Sequence, residues 1–373
     1  MLNTYTSYQL IAKDIAKSID RVEQQPMVDR ETKYYLENIA KVTSIDEFVS
    51  DDRLFRYAMK AHGLADMAYA KAFMVKAMKE GISDKDSFAN KLSDKRYAEF
   101  VRSFNFAAHG ELATVYNKAQ HGAVKNYETQ AVLAGVDPNS AAVKTEVTYY
   151  LANIVKVKSI DDLMSNERVL KFALAGFGLD DTEENTELAR AVLEGGLVDP
   201  DSPANQMTDK LFTAFASMYN FEAHGEVTTT YNPAQQPAID KYMRQTLEED
   251  AGAQNEGVRL ALYFERKGPA LTSFYEVLAD PALARVVRTA LGLPDSFASA
   301  NIDKQVQLFE SRMDIADFAD PEALGEFLTR FTSLWEIDNP SSTAQTSLTV
   351  LFSQPVEYGV STDILFAIAR MKR

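Results

Sequence analysis

Residues 34 to 111, from YYLENIAKVTSIDEF to FNFAAHGE, lie without a gap over residues 149 to 226, from YYLANIVKVKSIDDL to YNFEAHGE, and 31 of the 78 positions are identical. At the same offset of 115, Tyr116 and Asn117 fall on Tyr231 and Asn232, Tyr127 on Tyr242, and Gln130 on Gln245. A weaker third copy stands at an offset of 114 from the second: LTSFYEVLADPALARVVRTALGLPD, residues 271 to 295, lies over residues 157 to 181. Three tandem units then run to about residue 337. A repeated chain stacks similar supersecondary units, so the architecture of one unit constrains that of the whole.

Each unit reads as helices with punctuation. SIDE at 44 to 47 matches a capping box, in which Ser44 accepts the N3 amide and Glu47 reaches back to the cap. The next helix opens near Asp51, and in the third copy at Asp280-Pro281, a cap followed by proline at the first helical position. Gly63, Gly178 and Gly292 mark its end, where a residue without Cβ takes up a left-handed conformation. Leu54, Tyr57, Ala58, Ala61 and His62 form one stripe at helical spacing, answered by Val169, Phe172, Ala173, Gly176 and Phe177, and by Leu283, Val286, Val287, Ala290 and Leu291. Aromatic rows at Tyr97, Phe100 and Phe104, and at Phe212, Phe215 and Tyr219, require a partner helix. SLTVLFS at 347 to 353 is the one short strand pattern. The fold class expected is all-α, with three tandem helical repeat units of about 115 residues joined by long helices.

The segments that follow are an N-terminal helical arm at 1–33, repeat unit 1 with its connector at 34–148, repeat unit 2 with its connector at 149–262, a degenerate unit 3 at 263–337, and a linker and tail at 338–373. The tail ends in the amphipathic TDILFAIARMKR.

Composition narrows the function. A net charge of -15 works against binding a polyanion, which depends on Lys and Arg neutralising phosphates. No apolar stretch approaches the length that crosses a bilayer, so membrane insertion is not expected. The first twenty residues lack an apolar run of about 7–15 residues behind a basic segment, so no cleaved secretory signal is expected. Without cysteine there is no disulfide, thiolate metal site or cysteine nucleophile.

The recurrent His-Gly-Glu is the one candidate for repeated chemistry. His109 and Glu111, like His224 and Glu226, follow an aromatic helix at the junction with a connector. A general acid–base pair needs a third group and a cleft, and neither is legible nearby. Unit 3 replaces the motif with LWEIDNP, where no further unit follows. The candidate inter-repeat joint or interaction site is therefore His109, Glu111, Tyr116 and Asn117 with His224, Glu226, Tyr231 and Asn232. His62 occupies the slot of Phe177 and Leu291 and reads as a core histidine, while His121 stands alone in a polar helix. DKDSFAN at 84–90 and DPDSPAN at 199–205 begin like calcium loops but lack the glycine and glutamate such loops need, and read as Asx turns. No catalytic residue, cofactor or metal site is expected.

The stretches SIDEFVSDDRLFRYAMKAHGL and DSFANKLSDKRYAEFVRSFNF resemble the alphaproteobacterial family called domain of unknown function 1217. The likeness covers residues 1–226 well and unit 3 loosely; Pro203 and Leu211-Phe212 depart from it. The resemblance implies a place among flagellar genes and brings no catalytic residue. The reading is a non-enzymatic protein acting through protein contacts, with a flagellar component as partner. It is expected in the cytoplasm or exported by the flagellar apparatus without a cleaved signal. The alternative is a ligand-binding protein or hydrolase with a site between units that uses His109 or His224. Oligomeric state and partner identity are not legible.

Overall fold

The computed structural model describes residues 3–339. Those residues form helices joined by turns, with no strand among them. The strand pattern at 347–353 and the amphipathic end of the tail lie outside the described residues. Contacts divide the chain into two units, Arg21–Gln245 in one and Met1–Asp20 with Thr246–Arg373 in the other.

The 21–245 unit holds the two similar repeats. In each, a fourteen-residue helix, Pro26–Ile39 or Ala141–Ile154, leads into a short helix and then the striped helix Asp52–Ala61 or Glu167–Ala175. The predicted capping box differs between them. Ser44 accepts the amide of Glu47 at 3.2 Å, but Glu47 is turned one residue further back onto the amide and hydroxyl of Thr43. The shorter Asp162 closes the reciprocal box on Ser159 and also holds the amide of Lys158. Asp51 caps the striped helix through the amides of Arg53 and Leu54, and its second oxygen accepts the Tyr34 hydroxyl at 2.6 Å. Gly63 and Gly178 end these helices at φ 68° and 70°, conformations that residues with a Cβ adopt only under strain.

Beneath these elements sit aromatic cores, with Phe48, Phe55, Phe100 and Phe104 buried in the first repeat and Phe172, Phe215 and Tyr219 in the second. His62 is part of the first: its Nδ1 meets the carbonyl of Ala58 and its Nε2 the hydroxyl of Ser103, each at 3.0 Å, with Phe100 and Phe104 edge-on. Both Asx loops close locally, with Asp84 accepting the amide of Asp86 and Asp199 that of Asp201.

The connectors are helical but interrupted. The first passes through a π-turn, Lys118–Gly122, into Ala123–Leu133, and stops at Gly135 (φ 76°), ahead of Asp137-Pro138, before Ala141–Ile154 begins. The second is Gln236–Gln254, broken from Glu256–Lys267 by Asn255, whose side chain caps the new helix. Each connector packs on the other repeat. Tyr150 donates its hydroxyl to the carbonyl of Ala119, and Tyr127 stacks on Phe172 with centroids 4.1 Å apart. At the same offset, Tyr35 donates to Ala234 at 2.7 Å and Tyr57 stacks on Tyr242 at 3.8 Å. The connector leaving repeat 1 completes repeat 2, and the connector leaving repeat 2 returns to complete repeat 1.

The second unit is built around Glu256–Lys267, Pro281–Ala290 and Pro321–Asp338. The predicted N-terminal arm is divided. Thr4–Ala12 packs on Glu256–Lys267 and Pro321–Asp338, whereas Pro26–Ile39 is the opening helix of repeat 1. Side-chain chemistry explains this: Val258 and Leu262 are apolar and buried, while their counterparts Lys144 and Thr148 face water. A helix apolar on that extra face must be covered, and the chain's own first helix covers it. Thr4 fixes the contact by donating its amide and hydroxyl to Glu336, and Asn255 donates to the Thr4 hydroxyl at 2.8 Å.

Candidate functional site

The segments after the two His-Gly-Glu motifs face one another inside the 21–245 unit. Asn117 donates its side-chain amide to the carbonyls of Thr228 (3.0 Å) and Tyr231 (2.9 Å), and Asn232 donates in return to the carbonyl of Tyr116 at 2.7 Å. Gln120 reaches the carbonyl of Thr229 at 2.6 Å, while Gln235 reaches that of Thr114 at 3.0 Å. Thr114 and Thr229 tie the seam down to their own repeats by donating to Val42 and Val157. Residue i meets residue j and the counterpart of j meets the counterpart of i, the pattern of a twofold interface, here within one chain. Both asparagines are 3% exposed. Their amide oxygens are used as well: Asn117 accepts from Gln120 N and Asn232 from Ala234 N.

His109 and His224 stand at the edge of this seam. Asn105 and Asn220 cap the short helices Phe106–His109 and Phe221–His224, and Gly110 (φ 53°) and Gly225 (φ 51°) turn the chain immediately afterwards. A Cβ on either glycine would meet nothing within 4 Å, so the backbone angle rather than space calls for glycine. The turn lays each imidazole flat on the tyrosine seven residues on. His109 and Tyr116 have centroids 3.6 Å apart at 10°, and His224 and Tyr231 are 3.8 Å apart at 17°. Burial pushes both imidazoles below the usual histidine range, helped by Lys125, His121 and Lys118 near His109 and by Lys118 near His224. Burial likewise raises the phenols of Tyr116 and Tyr231.

Glu111 and Glu226 are exposed and form no hydrogen bond or ion pair with the imidazoles. Of the eight expected residues, six meet in the seam and the two carboxylates stay outside. The sequence reading overlooked Thr114, Gln120, Thr229, Gln235 and His121. Their signal was available, because T-V-Y-N-K-A-Q at 114–120 recurs as T-T-Y-N-P-A-Q at 229–235. His121, read as standing alone, accepts the amide of Asn117 on Nδ1 at 3.1 Å and lies 5.7 Å from the Tyr116 ring.

An open groove of about 600 Å³ lies beside Ala123–Leu133. Tyr127, Ala131, Val136, Val143 and Ala175 line it, with Gln130 and Glu146 at its polar points and no histidine among its lining residues. Among the described residues no three His, Asp or Glu side chains gather as a metal site, and no helix is long and apolar enough to cross a membrane.

A family described as protein of unknown function (DUF1217) matches the chain at residues 61–175 and again at 176–324. The chain belongs to that family. The two DUF1217 matches begin 115 residues apart (176 minus 61), the internal offset of the sequence, so a family unit starts at the end of the striped helix and carries the seam within it. The chain is also similar to a protein of Agrobacterium tumefaciens solved by X-ray crystallography, at 36% identity over 90% of this chain and 94% of that one, with a TM-score of 0.55. No curated protein matches.

Proposed function

We propose that this DUF1217 protein is a non-enzymatic helical repeat protein that acts through protein–protein contacts in flagellar assembly or motility. The observation that carries the non-enzymatic part is the use made of the repeated histidines. Each imidazole is stacked on its own tyrosine, and the carboxylate two residues away is exposed and makes no bond to it. A general base needs a carboxylate or other group to orient it and a reacting atom within hydrogen-bond reach of a ring nitrogen, and neither imidazole is hydrogen-bonded or ion-paired to its neighbouring glutamate. The flagellar part rests on the family resemblance read from the sequence.

Deleting the gene and scoring swimming and filament assembly tests the proposal. Loss of either, restored by the intact gene, is the expected result; normal swimming and normal filaments would overturn the flagellar reading. Fractionation then separates two locations. An exported component appears in the medium only when the flagellar export apparatus is present, and a cytoplasmic scaffold stays with the cells.

A further inference from the structure

Three of the chain's four histidines stand at one place, the seam where the repeats cross-bond. We propose that this seam is an acid-sensitive joint, in which protonation of His109, His121 and His224 releases the Tyr116-Asn117 segment from the Tyr231-Asn232 segment.

The geometry sets the direction. His121 Nδ1 accepts the backbone amide of Asn117, and a protonated imidazole has no lone pair there to offer. Asn117 is the residue whose side chain crosses to Thr228 and Tyr231, so loss of that acceptor frees the backbone of the main cross-seam donor. The charges that face His109 are all positive, namely Lys118, Lys125 and His121. The charge that faces His224 is Lys118, which is next in sequence to Asn117. Glu111 and Glu226 on the adjoining turns are exposed and unpaired with these rings. A protonated ring gains from lying on a tyrosine face and the Asn117 backbone favours a charged His121, but burial at all three, joined by the lysines at His109 and His224, outweighs these gains, and all three histidines sit below their usual range.

The sign follows from linkage. In the closed seam these histidines bind protons less readily than in an open one, where they return to about 6.5. Above that value both forms are neutral and the closed seam is unaffected. As pH falls through it, the open form takes up protons first and its population rises. Each unit of depression multiplies the open population by up to about tenfold per histidine.

Hydrogen–deuterium exchange on the full chain between pH 7.5 and 5.0, corrected for the intrinsic exchange rate, reads this population. Protection in peptides covering 113–122 and 228–236 is expected to fall by tenfold or more, while peptides covering 54–61 and 283–290 keep theirs. The triple variant His109→Phe, His121→Gln, His224→Phe keeps rings on the tyrosines and an acceptor at 121 without a titrating group. Its seam protection should be flat with pH, with circular dichroism confirming its helix content. Lys118→Gln with Lys125→Gln should shrink the response, which a merely structural role for the lysines would not do. Unchanged seam protection in the native chain, an equal fall in the triple variant, or an equal fall at 54–61 would each overturn the proposal.

Discussion

Trp335→Ala will lower the unfolding free energy of the unit built from the chain's two ends by about 3–5 kcal/mol, the usual cost of emptying a buried tryptophan site. The ring is 4% exposed, packs on Phe331 and carries the Arg285 guanidinium 4.5 Å above it. It fits because residue 257 is glycine: a Cβ there would collide with the indole. Gly257→Ala should therefore disturb the same site from the opposite side, by overpacking that costs about 1–3 kcal/mol. Trp335 is the sole tryptophan, so its fluorescence reports Gly257→Ala directly and is lost in Trp335→Ala. Denaturant titration followed at the indole gives the stability of Gly257→Ala, and circular dichroism that of Trp335→Ala. Native-like midpoints for both would mean that the helix Pro321–Asp338 is not seated as described.

Asn117→Ala and Asn232→Ala will each cost roughly 1–3 kcal/mol, because each removes the side-chain donor to buried or half-buried carbonyl oxygen across the seam. The larger loss belongs to Asn117, which serves two carbonyls where Asn232 serves one. The two sites share one interface, so the double variant should depart from additivity, in contrast to a pairing of Asn117→Ala with Trp335→Ala. Urea titration of the four-member cycle measures the coupling. A coupling near zero between the two asparagines would show that their bonds do not belong to one cooperative seam.

The local architecture was legible because it is written in short-range chemistry. Ser44 and Ser159 start helices, Asp51 and Asp280 cap the next, and Gly63, Gly178 and Gly292 end them, all through contacts within a few residues. The stripe through Leu54, Tyr57 and Ala58 fixed which face is buried. What periodicity does not carry is which surface a stripe meets. Tyr35 bonds Ala234, 199 positions on, rather than a residue of its own connector, and its counterpart pair, Tyr150 and Ala119, stands only 31 positions apart, so the offset of the repeats gives no sign that the pairing is exchanged. The covering of Val258 and Leu262 by Thr4–Ala12 was readable only as an apolar excess, without the identity of its cover. For the seam, the repeat offset marked His109, Tyr116 and Asn117, but Glu111 travelled with them by sequence alone. The reciprocal bonds depend on a symmetry that a linear reading does not contain.

The hydroxyl of Tyr35 waits for a carbonyl 199 positions further along. At about 5–20 residues per second on a ribosome, that partner is made roughly 10–40 s later. The first half of the chain must therefore emerge with its aromatic core open on one side, and it can close only when nearly two thirds of the polypeptide has been synthesised. Despite its helical character, the molecule is one whose birth is governed by a distant partner, and a premature stop before residue 234 should strand that first half as a substrate for chaperones and proteases.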